Sequence, residues 1–371
     1  MGLFVIAITF SFSYGVVVGT FKFQPYEIIN NMYDQFISNS KKAEDNLGFL
    51  SSDVNVTSLI HIQNKSNILE KRIQLIEYIW KQNNFPNDKM PSNVENNIQD
   101  NRFNDLQNLA KIDKLTISMD YGVDSYSYLF FAEKSNNKLV IYHQGHGGDF
   151  ILGKKTIQYF LEKGYSVLAF SMPLTGMNTQ PIVDLPNFGK LKLMTHEDFK
   201  FIESDNFSPI KFFVEPIAIS LNYIDKSFHF DSYNMVGISG GGWTTVIYSA
   251  LDPRIEKSYP IAGSSPFYLK FNNQKNMGDY EQSLPELYSI ANYLDLYIMA
   301  SYGEKREHLQ IFNKYDPCCF SGSGYTTYEN KIKKSISDLG EGSFEVFLDV
   351  DNKKHSISDK SLDVILKNMQ K

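Results

Sequence analysis

Ser239 stands in the run Gly237-Ile238-Ser239-Gly240-Gly241-Gly242-Trp243, with glycine two residues before it and two residues after it. A serine hydroxyl is a poor nucleophile unless it is exposed, fixed in place and paired with a base. A sharp turn from a strand into a helix provides the exposure, at the cost of strained backbone angles at the serine. Glycines at the flanking positions remove the side chains that would collide in so tight a turn. The first N–H groups of the following helix, Gly240 foremost, then face the place where a tetrahedral oxyanion would develop. The chemistry implied is attack on an ester or amide carbonyl. Glycine and serine also make ordinary turns, so the flanks carry the argument. The apolar run YNMV leads in and TTVIYSA leads out, which is the strand–turn–helix setting required. A phosphate-binding loop would need a Gly-Lys-Ser/Thr ending, which is missing.

The elements that must hold this turn read as strands alternating with helices. A hairpin is expected over 115–121 and 125–132, around Gly122. Short apolar strands are expected at 138–143 (KLVIYH), 165–170 (YSVLAF), 233–236, 255–261, 309–313 (LQIFN) and 344–350 (FEVFLDV). Helices are expected at 156–163, 212–224, 244–250 and 361–369. This alternation predicts an α/β fold with a mainly parallel sheet and helices on both faces. Two stretches, roughly 174–208 and 264–308, break it. Both follow strands and so belong at the carboxyl edge of the sheet, where such folds bind ligands; they read as lids or pocket walls. Ahead of residue 112, Asn67 and Glu70 suggest a capped helix start, and Leu69, Ile73, Ile76 and Trp80 form an apolar stripe read as a docking face. The polar stretch 83–101, with Pro86 and Pro91, reads as a linker.

These ordered features resemble the α/β-hydrolase superfamily of esterases, lipases and serine peptidases, over roughly residues 112–371. The resemblance implies a triad in the chain order serine, acid, histidine. His355, in the loop DNKKHSIS after FEVFLDV, takes the place of the base; His308 precedes the expected acid. Asp316, in LQIFNKYDP, takes the place of the acid, with Glu304 as the alternative should 296–300 be the strand, and Asp349 and Asp351 less well placed. The family puts a second oxyanion donor in the loop after an earlier strand. Here that loop is His143-Gln144-Gly145-His146-Gly147-Gly148, similar to the family's H-G-G-G pattern but not identical, so that either the His146 or the Gly147 N–H would assist Gly240. A metal held by His143 and His146 lacks a third ligand at suitable spacing. No metal and no cofactor is implied. His196 and Asp198 read as surface residues, and Phe267, Tyr268 and Phe271 as core aromatics or the wall of an acyl pocket.

Composition narrows the remaining classes. The 371 residues carry a net charge of −6 with no basic stripe, which disfavours nucleic acid as a partner, and 42% hydrophobic residues suffice for a large core. Cys318 and Cys319 are adjacent; their Cα atoms should lie about 3.8 Å apart, below the roughly 4.4–6.8 Å usual for a disulfide. Two buried thiols are therefore expected. The uncharged, mainly apolar stretch Leu3–Thr20 is long enough for a membrane span, has no basic n-region and shows no A-x-A cleavage site. It is expected to be a signal-anchor holding the enzyme outside the cytoplasm, with a cleaved signal peptide and a secreted enzyme as the alternative. The organisation expected is thus an anchor (1–20), a helical accessory segment and linker (21–111) and a catalytic domain (112–371). The function expected is serine hydrolysis of a carboxylic ester, small or polymer-borne. The alternatives are a peptidase of the same fold, for which 21–110 is too short to hold a propeller, and an inactive membrane-tethered binding protein.

Overall fold

The computed structural model describes residues 54–82, 84–270 and 277–371. Leu3–Thr20 lies outside the described residues, as does Phe271. Among the described residues no helix is long and apolar enough to cross a membrane.

Apolar runs without alternation can be satisfied only if both faces of a strand are covered. That is what β4 (Lys138–His143), β5 (Ser166–Phe170), β8 (Ser232–Ile238), β9 (Ile255–Ile261) and β10 (Glu307–Asn313) achieve, while the edge strand β11 (Ser343–Asp349) is only partly covered. With the earlier strands β1 (Asn93–Glu95), β2 (Leu109–Ile117) and β3 (Ser125–Ala132) they form a nine-stranded sheet in the order β1-β2-β3-β5-β4-β8-β9-β10-β11. The edge from β1 through β3 to β5 is antiparallel, and every pairing from β5 across to β11 is parallel. The mainly parallel α/β architecture read from the sequence is therefore present.

Successive side chains on a strand point to opposite faces, and here they feed two separate cores. Leu139, Ile141, Leu168, Phe170 and Met235 join one, with side chains from α1 (Lys65–Trp80), α3 (Lys211–Ser227) and α4 (Gly240–Leu251). Val140, Tyr142, Val167, Ala169, Val236 and Ile238 join the other, with Ile157, Phe160 and Leu161 of α2 (Lys154–Glu162) and Leu362 and Ile365 of α8 (Asp359–Met369). The sheet is thus held from both sides, and its carboxyl edge is left to the loops that carry polar residues.

Several sequence expectations shift. The helix of the accessory segment begins at Lys65 and is capped by Asn64, whose side chain accepts from the Asn67 N–H at 3.1 Å; Asn67 lies inside the first turn. Its buried face is Ile68, Leu75, Ile79 and Trp80, whereas Leu69 and Ile73 are 57% and 52% exposed. The apolar stripe misleads because Arg72 occupies a slot on the inner face and satisfies its charge there, donating from Nε to the Ala250 carbonyl of α4 at 3.0 Å. Trp80 donates from its indole to Glu215 of α3 at 2.7 Å, which ties α1 into the main core. The proposed boundary at 112 falls inside β2, and β1 lies ahead of it within the same sheet. Of the two irregular stretches, the first carries a two-stranded hairpin, β6 (Ile182–Leu185) with β7 (Gly189–Lys192). The second holds the short helices α5 (Tyr280–Ser283) and α6 (Pro285–Ile290), then α7 (Tyr293–Ser301), buried at every residue between β9 and β10. Residues 296–300 are therefore helix, not strand, and Glu304 sits exposed at the amino end of β10.

If α1 belongs to the main core, Ile79→Ala should cost about 2–5 kcal/mol by denaturant unfolding, because it empties a fully buried site. Leu69→Ala should stay within about 0.5 kcal/mol. Equal effects would contradict the packing described.

Candidate active site

At the carboxyl end of β8 the chain reverses into α4 through Ser239, whose φ of 57° and ψ of −124° lie in a region that a side-chain-bearing residue seldom adopts. The turn is crowded on every side. A Cβ at Gly237 would fall 2.1 Å from the Gly241 carbonyl oxygen, and one at Gly241 would fall 2.1 Å from that of His143. Such contacts cannot be relieved by a rotamer change, since each partner is backbone. Ser239 donates its N–H to Ile261 of β9 at 2.9 Å and accepts from the Trp243 N–H at 2.9 Å, so that both strand and helix hold the strained residue. Ser239 is half-buried among neighbours that are nearly all buried.

Asp316 and His355 arrive at the same edge because β10 and β11 run parallel to β8 and end together. Asn313 is in register with Asp349, the last residue of β11. Three residues on, the Asp316 carboxylate is buried and takes the His355 Nδ1 at 2.8 Å on one oxygen and the Cys318 N–H at 2.8 Å on the other. A buried carboxylate with both oxygens engaged fixes the imidazole's plane and the tautomer with its proton on Nδ1. His355 Nε2 is buried and makes no hydrogen bond to Ser239 or to any other described residue, so the structure joins Asp316 to His355 but not His355 to Ser239. The histidine loop is clamped from below by Asn313, whose Nδ2 donates to the carbonyls of Lys354 at 3.2 Å and Ser356 at 3.1 Å, one on each side of His355. Asp349 is occupied elsewhere: it accepts from the N–H groups of Asp351 and Asn352 and from the Ser358 hydroxyl, and so shapes the loop instead of meeting the histidine. His308 lies near the amino end of β10, at the opposite end of the strand from Asp316, its Nδ1 2.7 Å from Ser258 Oγ, and burial pushes it down to about 3.

The loop after β4 passes directly over the serine. A Cβ at Gly145 would lie 2.7 Å from both Ser239 Cβ and the Ile238 carbonyl oxygen, and 3.4 Å from the Gly240 nitrogen. The His146 ring rests on Gly240, where an added Cβ would meet its Cε1 at 2.3 Å. Gly147 is farther out, with nothing within 4 Å of its Cβ position. His143 is buried, its Nδ1 2.9 Å from the Gln144 carbonyl oxygen, and burial lowers it to about 4. It takes no part in the edge chemistry.

Sequence reasoning missed what surrounds His146. His196 is buried, not a surface residue, and Asp198 beside it caps the 3-10 turn His196–Phe201 by accepting from the Thr195 and Met194 N–H groups. His146 Nε2 lies 2.8 Å from Glu281 Oε1 and 2.9 Å from Asp279 Oδ2. His196 Nδ1 lies 3.0 Å from Glu281 Oε2, and its Nε2 lies 3.0 Å from the Pro173 carbonyl oxygen. Burial works against charge at both members of the central pair. The carboxylates nevertheless raise His146 to about 10, and the two imidazoles hold Glu281 far below the usual carboxylate range. The sequence offered no spacing to connect these residues, because the three segments are joined only by the fold. His146, His196, Asp279 and Glu281 together have the donor types to hold a metal ion.

The cysteines also differ from expectation. Cys318 and Cys319 are joined in a vicinal disulfide with Cα atoms 3.7 Å apart. They lie in the loop beyond Asp316, Cys318 exposed and Cys319 half-buried, so neither the burial nor the free thiols expected of them is present. Phe267 packs edge-on against Tyr288 and Tyr293, and Tyr268 hydrogen-bonds Thr327 at 2.6 Å, so both serve as packing residues.

With this architecture and edge, the chain has the α/β-hydrolase fold. The likeness extends to solved structures. Acetyl xylan esterase from Paenibacillus sp. R4 is 14% identical with a TM-score of 0.52, covering 85% of this chain and 98% of the other. Acetyl xylan esterase 1 from Thermoanaerobacterium sp. JW/SL YS485 is 12% identical with a TM-score of 0.52, covering 85% and 96%. The methylesterase BT1017 is 12% identical with a TM-score of 0.54, covering 82% of this chain and 62% of that one. No protein-family model and no curated protein sequence matches the chain.

The crowding at the turn makes a stability prediction. Gly241→Ala should destabilise by at least about 1–3 kcal/mol, since the methyl meets backbone, while Gly147→Ala should leave the unfolding midpoint close to that of the parent. A folded Gly241→Ala protein of unchanged midpoint would contradict the geometry at Ser239.

Proposed function

We propose that this chain is a serine carboxylesterase in which Ser239 is the nucleophile, His355 the base and Asp316 the residue that orients and charge-stabilises the histidine. The observation that carries the proposal is a strained Ser239 at the β8–α4 turn together with a His355, on a loop of the same sheet edge, whose Nδ1 is held by buried Asp316 and whose Nε2 makes no hydrogen bond. That arrangement suits acyl transfer. Nε2 takes the hydroxyl proton as Ser239 Oγ attacks an ester carbonyl, and Asp316 stabilises the imidazolium that results. The proton then passes to the departing alkoxide as the carbon–oxygen bond breaks, leaving an acyl-serine. A water attacks the acyl carbon, gives its proton to Nε2, and the acid leaves as Ser239 is restored.

The negative charge on the carbonyl oxygen needs donors fixed before the reaction begins. The Gly240 N–H at the start of α4 is one. For the second, the close approach of Gly145 to Ser239 and of the His146 ring to Gly240 favours the His146 N–H over that of Gly147. No hydroxyl activation by a metal or cofactor enters these steps. The substrate proposed is an ester carried by a small molecule or a polymer. The two acetyl xylan esterases of the same fold make a short acyl group the first to try.

Turnover of a short-chain p-nitrophenyl ester tests the assignment. Ser239→Ala and His355→Ala should each lower kcat by roughly 10⁶-fold, and Asp316→Asn should cost less, roughly 10⁴-fold, because the acid acts only through the histidine. A folded Ser239→Ala protein with undiminished turnover would refute the proposal.

A further inference from the structure

We propose that His146, His196, Asp279 and Glu281 form a site for one divalent transition-metal ion of the zinc type, built at the junction of the oxyanion loop and the two insertions. One nitrogen or oxygen from each residue can be chosen so that all four lie within 4.8 Å of one another. They come from three segments far apart in sequence: the loop after β4, the turn His196–Phe201 and the entrance to α5. Bonds of about 2.0–2.2 Å to nitrogen and oxygen would bring such atoms around one ion with small side-chain adjustments.

The hydrogen-bond accounting points the same way. His196 Nε2 faces the Pro173 carbonyl, which can only accept, so the Nε2 proton is committed there. In the neutral ring, the form that binds a metal, Nδ1 then turns a lone pair toward Glu281 Oε2, also a lone-pair donor, at 3.0 Å. At His146 one nitrogen, Nε2, faces two carboxylate oxygens at 2.8 and 2.9 Å, and a single N–H cannot point at both. With both rings neutral, electron-pair donors converge without enough protons between them, and a metal cation satisfies them in place of the ring protons. A histidine ligand whose other nitrogen donates to a backbone carbonyl is also the usual way of fixing a metal-binding tautomer. Two carboxylates offset the charge of a divalent ion. Two imidazoles select zinc, cobalt or a similar ion over magnesium and calcium, which take oxygen ligands. The Glu281 side chain is fully buried and that of His196 nearly so, while Asp279 is 49% and His146 27% exposed, which gives the ion a route from solvent.

The ion's place suggests structural work. His146 lies against Gly240, so an ion bound to it would hold the oxyanion loop against the nucleophile's turn and join the two insertions over it. This consequence for turnover rests on the esterase reading; binding itself does not.

The test uses the full chain, dialysed against dipicolinate and then titrated calorimetrically with Zn²⁺, with Co²⁺ followed by its visible ligand-field bands. Saturable binding of one ion per chain is expected for both, with a raised unfolding midpoint, and none for Mg²⁺. Asp279→Asn, at a half-exposed position that should not disturb folding, is expected to weaken Zn²⁺ binding at least about tenfold. His196→Gln should weaken it further, and His229→Gln, at an exposed histidine elsewhere, should leave it unchanged. Ser239→Ala should bind as the parent does, so a failed esterase assignment would leave this result standing. Absence of saturable Zn²⁺ and Co²⁺ binding would overturn the proposal and make the cluster an ion-pair network. Undiminished binding by folded Asp279→Asn, or loss of binding in His229→Gln, would overturn it too.

Discussion

The reversal of β8 into α4 leaves almost no room for side chains. Gly237 and Gly241 close on each other, Gly241 closes on the His143 carbonyl, and Gly242 approaches Gly263 at the end of β9. Within that crowding Ser239 must take a positive φ. A backbone in so unfavourable a conformation persists only when its surroundings over-determine it. Here they do so through hydrogen bonds from Ser239 to β9 and to α4, and through the loop of β4 pressed onto it at Gly145. The parallel sheet and the helices on its two faces supply the rigidity that this one turn requires.

The same parallel arrangement delivers the partners. Because β8, β9, β10 and β11 are hydrogen-bonded in one direction, their carboxyl ends form a single edge, and loops leaving that edge meet without long excursions. Asp316 is buried only three residues past β10, and Asn313 holds the backbone on both sides of His355. The histidine is therefore positioned twice, once through its ring and once through its loop. Asp349 contributes by organising the turn that begins at the end of β11. Polar residues at the ends of the last strands are thus spent on geometry, with His355 Nδ1 engaged by Asp316 and Nε2 without a hydrogen bond.

The sheet and the Ser239 turn were legible because they depend on local rules: continuous apolar runs, period, and glycines where a Cβ cannot fit. The order of Ser239, Asp316 and His355 came from a family resemblance, and the structure brings Asp316 and His355 together as that order requires. What the sequence hid depended on tertiary compensation. Arg72 on the inner face of α1 broke the apolar stripe because its charge is met by a carbonyl of a distant helix. His196 looked like a surface residue because its partners, Pro173 and Glu281, stand in other segments. The cluster around His146 has no signature spacing at all. Accessory and catalytic segments could not be separated at 112, since β2 crosses that position.

The central claim is that Ser239 is made nucleophilic by a histidine held on Asp316. A fluorophosphonate, which reacts preferentially with an activated serine, tests it most directly when labelling is followed by intact mass and peptide mapping. The account predicts one adduct per chain, located on Ser239, formed readily by the parent protein and lost when His355 is replaced by alanine in a chain that remains folded. Labelling at another residue, or labelling of Ser239 at an unchanged rate without His355, would contradict it.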